Sequence, residues 1–211
     1  MSSPGGYDIT VRVQLPEEFD LDLDTGDGNI RVDRLQGRAR LETSDGDIEI
    51  RSIVGERVDI DTSDGDVDVM AVQSPDLHIE TSDGSIRVRQ LDGGEAALRT
   101  SDGDIEVEES SGALSATTSD GDIHVRLARF GATSLRSGDG DIHIDAPDDL
   151  KADIDLRGER LTLHGTSSIN LQGQLSKTRA RGALNGGGPR LSAMTTDGRI
   201  VLSNETSRGS R

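Results

Sequence analysis

The chain contains no cysteine and no tryptophan, and its only aromatic residues are Tyr7, Phe19 and Phe130. Globular cores normally draw much of their buried area from Phe, Tyr and Trp. The core of this chain must therefore be built from Ile, Val, Leu and Ala, which suits a long, thin core of stacked aliphatic side chains. The absence of cysteine is compatible with either a reducing or an oxidising compartment.

Basic residues and long apolar runs are also scarce. The 211 residues include 40 acids and 23 bases, for a formal charge of -17. Nucleic acids and anionic membranes need a positive surface, so neither is a predicted partner. No apolar run approaches the length of a membrane span, which predicts no direct membrane insertion. Residues 1–6 lack the charged and apolar regions of a signal peptide, so no export signal is visible.

The dominant feature of the sequence is an octapeptide whose commonest form is Thr-Ser-Asp-Gly-Asp-Ile-x-Val. Copies begin at residues 43, 62, 81, 100 and 118, and a looser copy begins at 137. The Asp-Gly glycines fall at 28, 46, 65, 84, 103, 121 and 140, so the steps are 18 or 19 residues. A fixed period near 20 residues is typical of repeat architectures. Apolar and polar residues alternate on both sides of each Asp-Gly, which predicts two short strands per repeat.

Two all-β architectures fit this pattern. Asp-Gly between alternating strands is a strong signal for a type I′ hairpin, so a meander of hairpins is one of them. A single-stranded β-helix, or solenoid, is favoured, because stacking one coil on the next requires identical residues at equal intervals. A meander does not require every second strand to be the same. In the solenoid each Asp-Gly forms a corner, where the glycine is expected to adopt a positive φ.

The pattern predicts three segments. Residues 1–20 form a lead-in whose strand at 7–15 caps one end of the rod. Residues 21–203 form the solenoid. The 58 residues between Gly140 and Gly198 accommodate three further steps, which gives about ten coils and a rod of roughly 45–50 Å at a strand spacing of ~4.8 Å. Residues 204–211 form a flexible polar tail, and this tail or the irregular segment 165–190 is expected to shield the other end.

Stacking the repeats aligns the first aspartate of each octapeptide into a ladder, and a second ladder follows two residues later. Calcium takes carboxylate and carbonyl oxygens, so the first ladder is a candidate metal site. Its members are Asp45, Asp64, Asp83, Asp102, Asp120 and Asp139. The favoured alternative is turn chemistry, in which the carboxylates accept hydrogen bonds from local N–H groups.

Two histidines form a weaker candidate site. His124 and His143 occupy the same outward slot in adjacent repeats, and Glu106 precedes them, so two imidazoles and a carboxylate could hold zinc or copper. The rest of the row is of mixed charge, which favours an ordinary solvated stripe. Carboxylates that could serve glycoside hydrolysis are abundant, but no cleft is predicted outside 165–190. No serine lies in a Gly-x-Ser-x-Gly setting, and no catalytic residue is predicted.

The Thr-Ser-Asp-Gly-Asp-Ile repeat, with a further glycine midway between copies, resembles a bacterial family of adhesin-type domains of unknown function. It is also similar to the head domain of auto-transporter adhesins, over roughly residues 20–203. The resemblance implies a right-handed β-helical domain without catalytic residues, located outside the cytoplasm or in the cell envelope. Because no export signal is visible, a cytoplasmic location is the alternative.

The residues and the resemblance together predict a non-catalytic scaffold or adhesion module without a cofactor. Its partner is expected to be a protein or a cell surface, and its state a monomer or weak homo-oligomer. The alternatives are a calcium-dependent structural or binding module and, less favoured, a carbohydrate-active β-helix enzyme.

Overall fold

The computed structural model describes residues 11–16, 18–164 and 170–204, which form sixteen β-strands and no helix. The first nine strands are β1 (Leu21–Thr25), β2 (Ile30–Gln36), β3 (Ala39–Thr43), β4 (Ile48–Val54), β5 (Val58–Thr62), β6 (Val67–Glu80), β7 (Ile86–Arg99), β8 (Ile105–Thr117) and β9 (Ile123–Arg136). The others are β10 (Ile142–Ala146), β11 (Ala152–Arg157), β12 (Arg160–His164), β13 (Leu171–Leu175), β14 (Arg179–Leu184), β15 (Arg190–Met194) and β16 (Arg199–Asn204). Within the described ranges, therefore, nothing resembles a membrane-spanning helix.

The strands wind into a β-solenoid. Each coil places one stretch before its Asp-Gly corner on a first face and one stretch after the corner on a second face. Equivalent stretches of successive coils pair in parallel, as β3 does with β5 and β4 with β6. Strands β6 to β9 are long because each continues from the second face of one coil into the first face of the next. Parallel pairing confirms the solenoid and excludes the meander, whose neighbouring strands would be antiparallel.

The core is the predicted thin column of aliphatic side chains. On the first face a fully buried row consists of Leu41, Ile60, Ile79, Leu98, Ala116 and Leu135. The row that faces it from the second face consists of Ile50, Val69, Val88, Val107, Val125 and Ile144. Phe130 only packs against the edge of this cluster, and Phe19 is exposed. Apolar area is buried between coils as well as within them, so each coil depends on its neighbours.

The corner glycines serve a different purpose from the one predicted. None of the eight corner glycines has a positive φ; that conformation occurs instead at Gly37, Gly112, Gly182, Gly186 and Gly187. A Cβ added to a corner glycine would overlap the carbonyl oxygen of the glycine one coil below, as at Gly84, where it would meet Gly65. The corners therefore need glycine because two backbones approach closely, and the prediction of positive φ was wrong.

The number and order of coils also differ from the prediction. Seven coils, with corner glycines from Gly28 to Gly140, are wound in chain order instead of about ten. The terminal repeat, β15 and β16, then pairs directly with β9 and β10. Strands β11 and β12, which precede it in the chain, pair with its far side. The terminal repeat is thus inserted between the seventh coil and residues 152–164.

Corner chemistry explains this order. The hydroxyl of Thr195 donates to the carbonyl oxygen of Gly140 at 2.8 Å and accepts the N–H of Gly198 at 3.1 Å. The terminal repeat therefore carries the same groups as the octapeptide and fits the seventh corner. In the segment that follows the seventh coil in the chain, the pairing register places Gly158 opposite Thr195 and Glu159 opposite Gly198. This segment therefore has neither the corner hydroxyl nor the corner glycine. The equal spacing of the repeats predicted that the coils stack in chain order, and after the seventh coil this prediction was wrong.

The two ends of the rod are finished differently. Strands β13 and β14 form an antiparallel hairpin, and β14 pairs antiparallel with β11, so the hairpin covers the first face at the C-terminal end. At the other end, residues 11–16 form no strand, and Val11 and Val13 are 77% and 64% exposed. These residues line a hollow beside β1 and β2 without joining the sheet. The alternation of apolar and polar residues predicted a strand at 7–15. At the end of the rod, however, a segment has a neighbouring coil on one side only, and its apolar side chains are then too weakly buried to fix its register with β1.

Parts of three predicted segments lie outside the described residues. These parts are 1–10 and 17 of the lead-in, 165–169 of the irregular segment and 205–211 of the tail.

Candidate functional site

The threonine that opens each octapeptide is buried inside the corner. Thr100 is typical: its hydroxyl donates to the carbonyl oxygen of Gly84 at 2.8 Å and accepts the N–H of Gly103 at 3.2 Å. The same two bonds recur at Thr43, Thr62, Thr81, Thr118, Ser137 and Thr195. Each hydroxyl therefore joins one corner to the corner below it, which is a structural role.

The second aspartate ladder also holds coil to coil. Asp122 donates its N–H to Oδ1 of Asp104 at 2.8 Å, and Asp141 donates its N–H to Oδ1 of Asp122 at 2.7 Å. The ladder runs through Asn29, Asp47, Asp66, Ser85, Asp104, Asp122 and Asp141. The bonds run to the N–H of the next coil, whereas turn chemistry predicted bonds to local N–H groups.

The upper end of this ladder holds the terminal repeat. Arg199 donates its N–H to Oδ1 of Asp141 at 2.7 Å and its Nη2 hydrogen to Oδ2 at 2.8 Å. Partial burial raises the pKa of the Asp141 carboxyl, while the hydrogen bonds and charge of Arg199 lower it. The net result is a pKa below the ordinary value. The carboxylate of Asp141 is therefore stabilised in the folded protein.

The predicted calcium ligands lie on the outside of the corners. Asp45, Asp64, Asp83, Asp102, Asp120 and Asp139 are all exposed, one per coil. Their backbone N–H groups bond to the coil below, as Asp64 does to the carbonyl oxygen of Ser44 at 3.0 Å. Among the described residues, no three His, Asp or Glu side chains converge as ligands of a metal ion. The stacking aligns these aspartates without gathering them around one point.

Strands β9 and β10 place His124 directly opposite His143, as the repeat predicts. The ring centroids are 6.1 Å apart and the planes meet at 70°. Glu106 lies next in the row, but its carboxylate is 2.8 Å from Arg87. Burial is the main reason that the pKa of His143 lies below its ordinary value. The two imidazoles are thus adjacent, while the third predicted ligand pairs with an arginine.

A buried carboxylate that sequence reasoning did not single out lies beside the histidines. Asp145 is only 4% exposed, and its Oδ2 is 3.0 Å from Nε2 of His124. The hydroxyl of Ser203, from the inserted terminal repeat, donates to its Oδ1 at 2.5 Å. Asp145 lies between Ser203 and His124, so the serine hydroxyl contacts the carboxylate and not the imidazole. This contact therefore does not provide a histidine that could act as a base for the serine. Alternation places Asp145 in an outward slot, and only the insertion of β16 brings Ser203 beside it.

A shallow groove of about 730 Å³ crosses the outside of the first face. Its floor is low because small side chains fill one outward slot in four successive layers: Ala97, Ser115, Ser134 and Ser192. The adjacent slot adds Ala113 and Ala132. At the end nearer the N-terminus the groove is bordered by Arg57, Asp76, His78 and Glu95, and at the other end by Arg136 and Arg190. Sequence alternation marked these positions as outward but gave no reason to expect a hollow.

Parallel coils with shared corner ladders define the chain as a β-solenoid repeat domain. The sequence model of the Toastrack DUF4097 family matches residues 8–203, so the chain belongs to this family of domains of unknown function. No curated protein and no solved structure matches the chain. Membership agrees with the β-helical fold and leaves the function to be inferred from the surface.

Proposed function

We propose that the chain is a non-catalytic scaffold of the cell envelope that binds a protein or surface partner through the outer faces of its solenoid. The observation that carries this proposal is that the corner residues and the outward residues of each coil have different roles. The octapeptide threonines, glycines and second aspartates are used to join one coil to the next. The outward slots, by contrast, change in charge and size from coil to coil, so the information for recognition lies on the faces.

The first-face slot that includes the groove floor shows this variation. From coil to coil it holds Arg40, Asp59, His78, Ala97, Ser115, Ser134 and Ser192. The buried residues beside this slot remain aliphatic or threonine throughout. A rigid rod with a uniform interior and a varied exterior suits a binding surface. The resemblance of the repeat to envelope adhesin-type domains supports the proposed location and the adhesive role.

The proposal is tested by co-sedimentation of the purified chain with cell envelopes, together with an assay for reducing or unsaturated sugar ends in the same samples. We expect saturable binding without release of product. Substitution of several outward first-face residues should weaken binding and leave the melting temperature unchanged. If binding does not saturate, or if product is released, the proposed function is wrong.

A further inference from the structure

We propose, on the basis of the scaffold function above, that the groove on the first face binds an acidic, hydroxyl-rich polysaccharide. The ligand class is a polyuronate chain that lies along the rod, across the strands. The proposal depends on two arginines that line the groove and a third in the same outward row, on the chemistry of the floor and on the pairing of the floor strands.

The arginines matter because the abundant carboxylates of this chain do not neutralise them. Most arginines of the described residues form ion pairs, such as Arg31 with Glu49 and Arg157 with Asp155. Arg136 and Arg190 line the groove, and Arg99 lies on β7 two residues from the floor residue Ala97; all three arginines are exposed. None of them has an ion pair with a described residue. On a chain of net charge -17, unpaired guanidinium groups around a hollow favour an anionic ligand.

The positions of these arginines suit a repeating anion. Arg99 and Arg136 occupy one outward row with Thr117 between them. At the usual strand spacing their Cα atoms are about 10 Å apart along the rod. Arg190 stands on the opposite side of the floor, one layer further on. Guanidinium groups bind carboxylates through two parallel hydrogen bonds, so a chain with carboxylates at intervals could engage both borders.

The floor favours a sugar over an acidic peptide. Ser115, Ser134 and Ser192 offer hydroxyl groups, and Asp76 and Glu95 at the far end can accept hydrogen bonds from ligand hydroxyls. At the floor slot itself the strands pair on both sides, so the backbone there cannot add a peptide strand. No Phe, Tyr or Trp side chain is among the described residues that line the groove, so nucleic-acid bases lack a large ring on which to stack. Hydroxyl-rich carboxylate chains satisfy these groups best.

Calorimetric titration of the full chain with polygalacturonate oligosaccharides tests this inference. We expect saturable binding that weakens as ionic strength rises, because exposed ion pairs are screened by salt. A neutral oligosaccharide of the same length is expected not to bind. Poly-glutamate is the second comparison: binding as tight as that of the polyuronate would replace the sugar by an acidic peptide and overturn the proposal.

Matched variants locate the binding. Arg136→Gln and Arg99→Gln should each weaken polyuronate binding about tenfold, the loss expected for one charge-assisted contact. Ser134→Tyr should abolish binding by filling the floor without changing the charge. Arg34→Gln is the control, because Arg34 is also exposed and without a described ion pair but lies on β2 of the second face. Equal losses in Arg34→Gln and Arg136→Gln would show a general charge effect and overturn the groove assignment.

Two outcomes separate this inference from the proposed function. If envelope co-sedimentation persists while polyuronates do not bind, the groove assignment fails and the scaffold function stands. If polyuronates bind in the groove and reducing or unsaturated ends are released, the groove assignment stands and the non-catalytic function fails. Melting temperatures of all variants confirm that each is folded.

Discussion

At the residue scale, the identity of the corner residues is set by the neighbouring coil. The glycine is required because the carbonyl oxygen of the previous corner occupies the place of a Cβ, and the threonine because its hydroxyl bonds that same oxygen. Both requirements are long-range in the sequence, at a separation of one coil. An analysis of local turn propensity therefore predicts glycine at the corner correctly, but for the wrong reason, since it invokes a positive φ instead of the close approach of two backbones.

The glycine requirement predicts that even alanine is not tolerated. Gly84→Ala should lower the free energy of unfolding by about 3 kcal/mol or more, because the overlap is with backbone that cannot rotate away. Gly26→Ala is the control, since a Cβ there has no atom within 4 Å. Urea unfolding measures both. Similar losses in the two variants would refute the close-approach explanation.

The threonine ladder predicts a cost for removing a hydroxyl while keeping the shape. Thr100→Val leaves the carbonyl of Gly84 and the N–H of Gly103 without this hydroxyl in a buried corner, so we expect a loss of about 1–3 kcal/mol. Thr117→Val, on the half-buried outward side of β8, should change stability by less than about 0.5 kcal/mol. Thermal and urea unfolding of both variants check this, and an unchanged Thr100→Val protein would contradict it.

The residue scale also shows what the sequence could and could not predict. Period-two alternation placed Leu41, Ile60 and Ile79 correctly in one buried row, because burial on a pleated sheet follows from local order. It also placed His124 opposite His143. The groove could not be predicted in this way, because its depth depends on the sizes of side chains in four layers, one of which is supplied by the inserted repeat.

At the element scale, the junction of β10 and β16 has side-chain contacts in addition to the backbone hydrogen bonds that join successive coils. Asp141 binds Arg199, and Asp145 binds Ser203 and His124. The cluster joins elements that are 58 residues apart in the chain. The stability of the C-terminal part of the rod should therefore respond to the charge of these groups.

Asp141→Asn should reduce the free energy of unfolding at pH 7 by about 1–2 kcal/mol, at the low end of the scale for a hydrogen bond to a charged group because the pair is partly exposed to solvent. The folded-state pKa of Asp141 is lowered, so its contribution is present above the unfolded value of 3.8 and is lost as pH falls through the folded value. The difference in stability between the variant and the parent should therefore shrink as pH falls below 3.8. Asp139→Asn, on the exposed ladder, is the control and should have little effect at any of these pH values. A difference between Asp141→Asn and the parent that does not shrink below pH 3.8 would contradict an ionic origin.

His143 gives the junction a dependence on pH in a milder range. Burial lowers its folded-state pKa, so the fold favours neutral imidazole, and the stabilisation is lost as pH falls below the unfolded value of 6.5. The parent should lose more stability between pH 7.5 and pH 5.5 than His143→Gln does. Relief of carboxylate repulsion affects both proteins alike and cancels in the comparison. His164→Gln, at an exposed position, should behave like the parent; equal pH slopes in the parent and His143→Gln would disprove the effect.

At the scale of the whole molecule, the solenoid is not a simple stack in chain order. Seven coils follow the sequence, and the eighth layer comes from the terminal repeat, with β11 and β12 beyond it. The repeat period predicted the architecture but could not predict this order. Period and apolar pattern are the same for sequential and inserted stacking, and only the corner hydroxyl and glycine distinguish them.

The inserted layer predicts an unusual response to truncation. A chain that ends at residue 189 lacks β15 and β16, so β11 to β14 lose the surface on which they pack. Hydrogen exchange should show loss of protection in strands β11 to β14 as well, while the seven coils remain protected. In a sequential stack, removal of the last repeat would affect only that repeat. Retained protection of β11 to β14 would mean that β11 can dock directly on β9.

The same insertion sets an order of events during synthesis. The first seven coils can form one after another as the chain leaves the ribosome, because each coil pairs with the coil synthesised just before it. Strands β11 and β12 are synthesised before β15 and β16, the strands with which they pair in the finished fold. Until then the edge of β9 and β10 stays exposed, and it is the edge with which β15 and β16 later pair. The C-terminal part of the rod can therefore be completed only after the whole chain has been synthesised, when β15 and β16 insert between the seventh coil and strands β11 and β12.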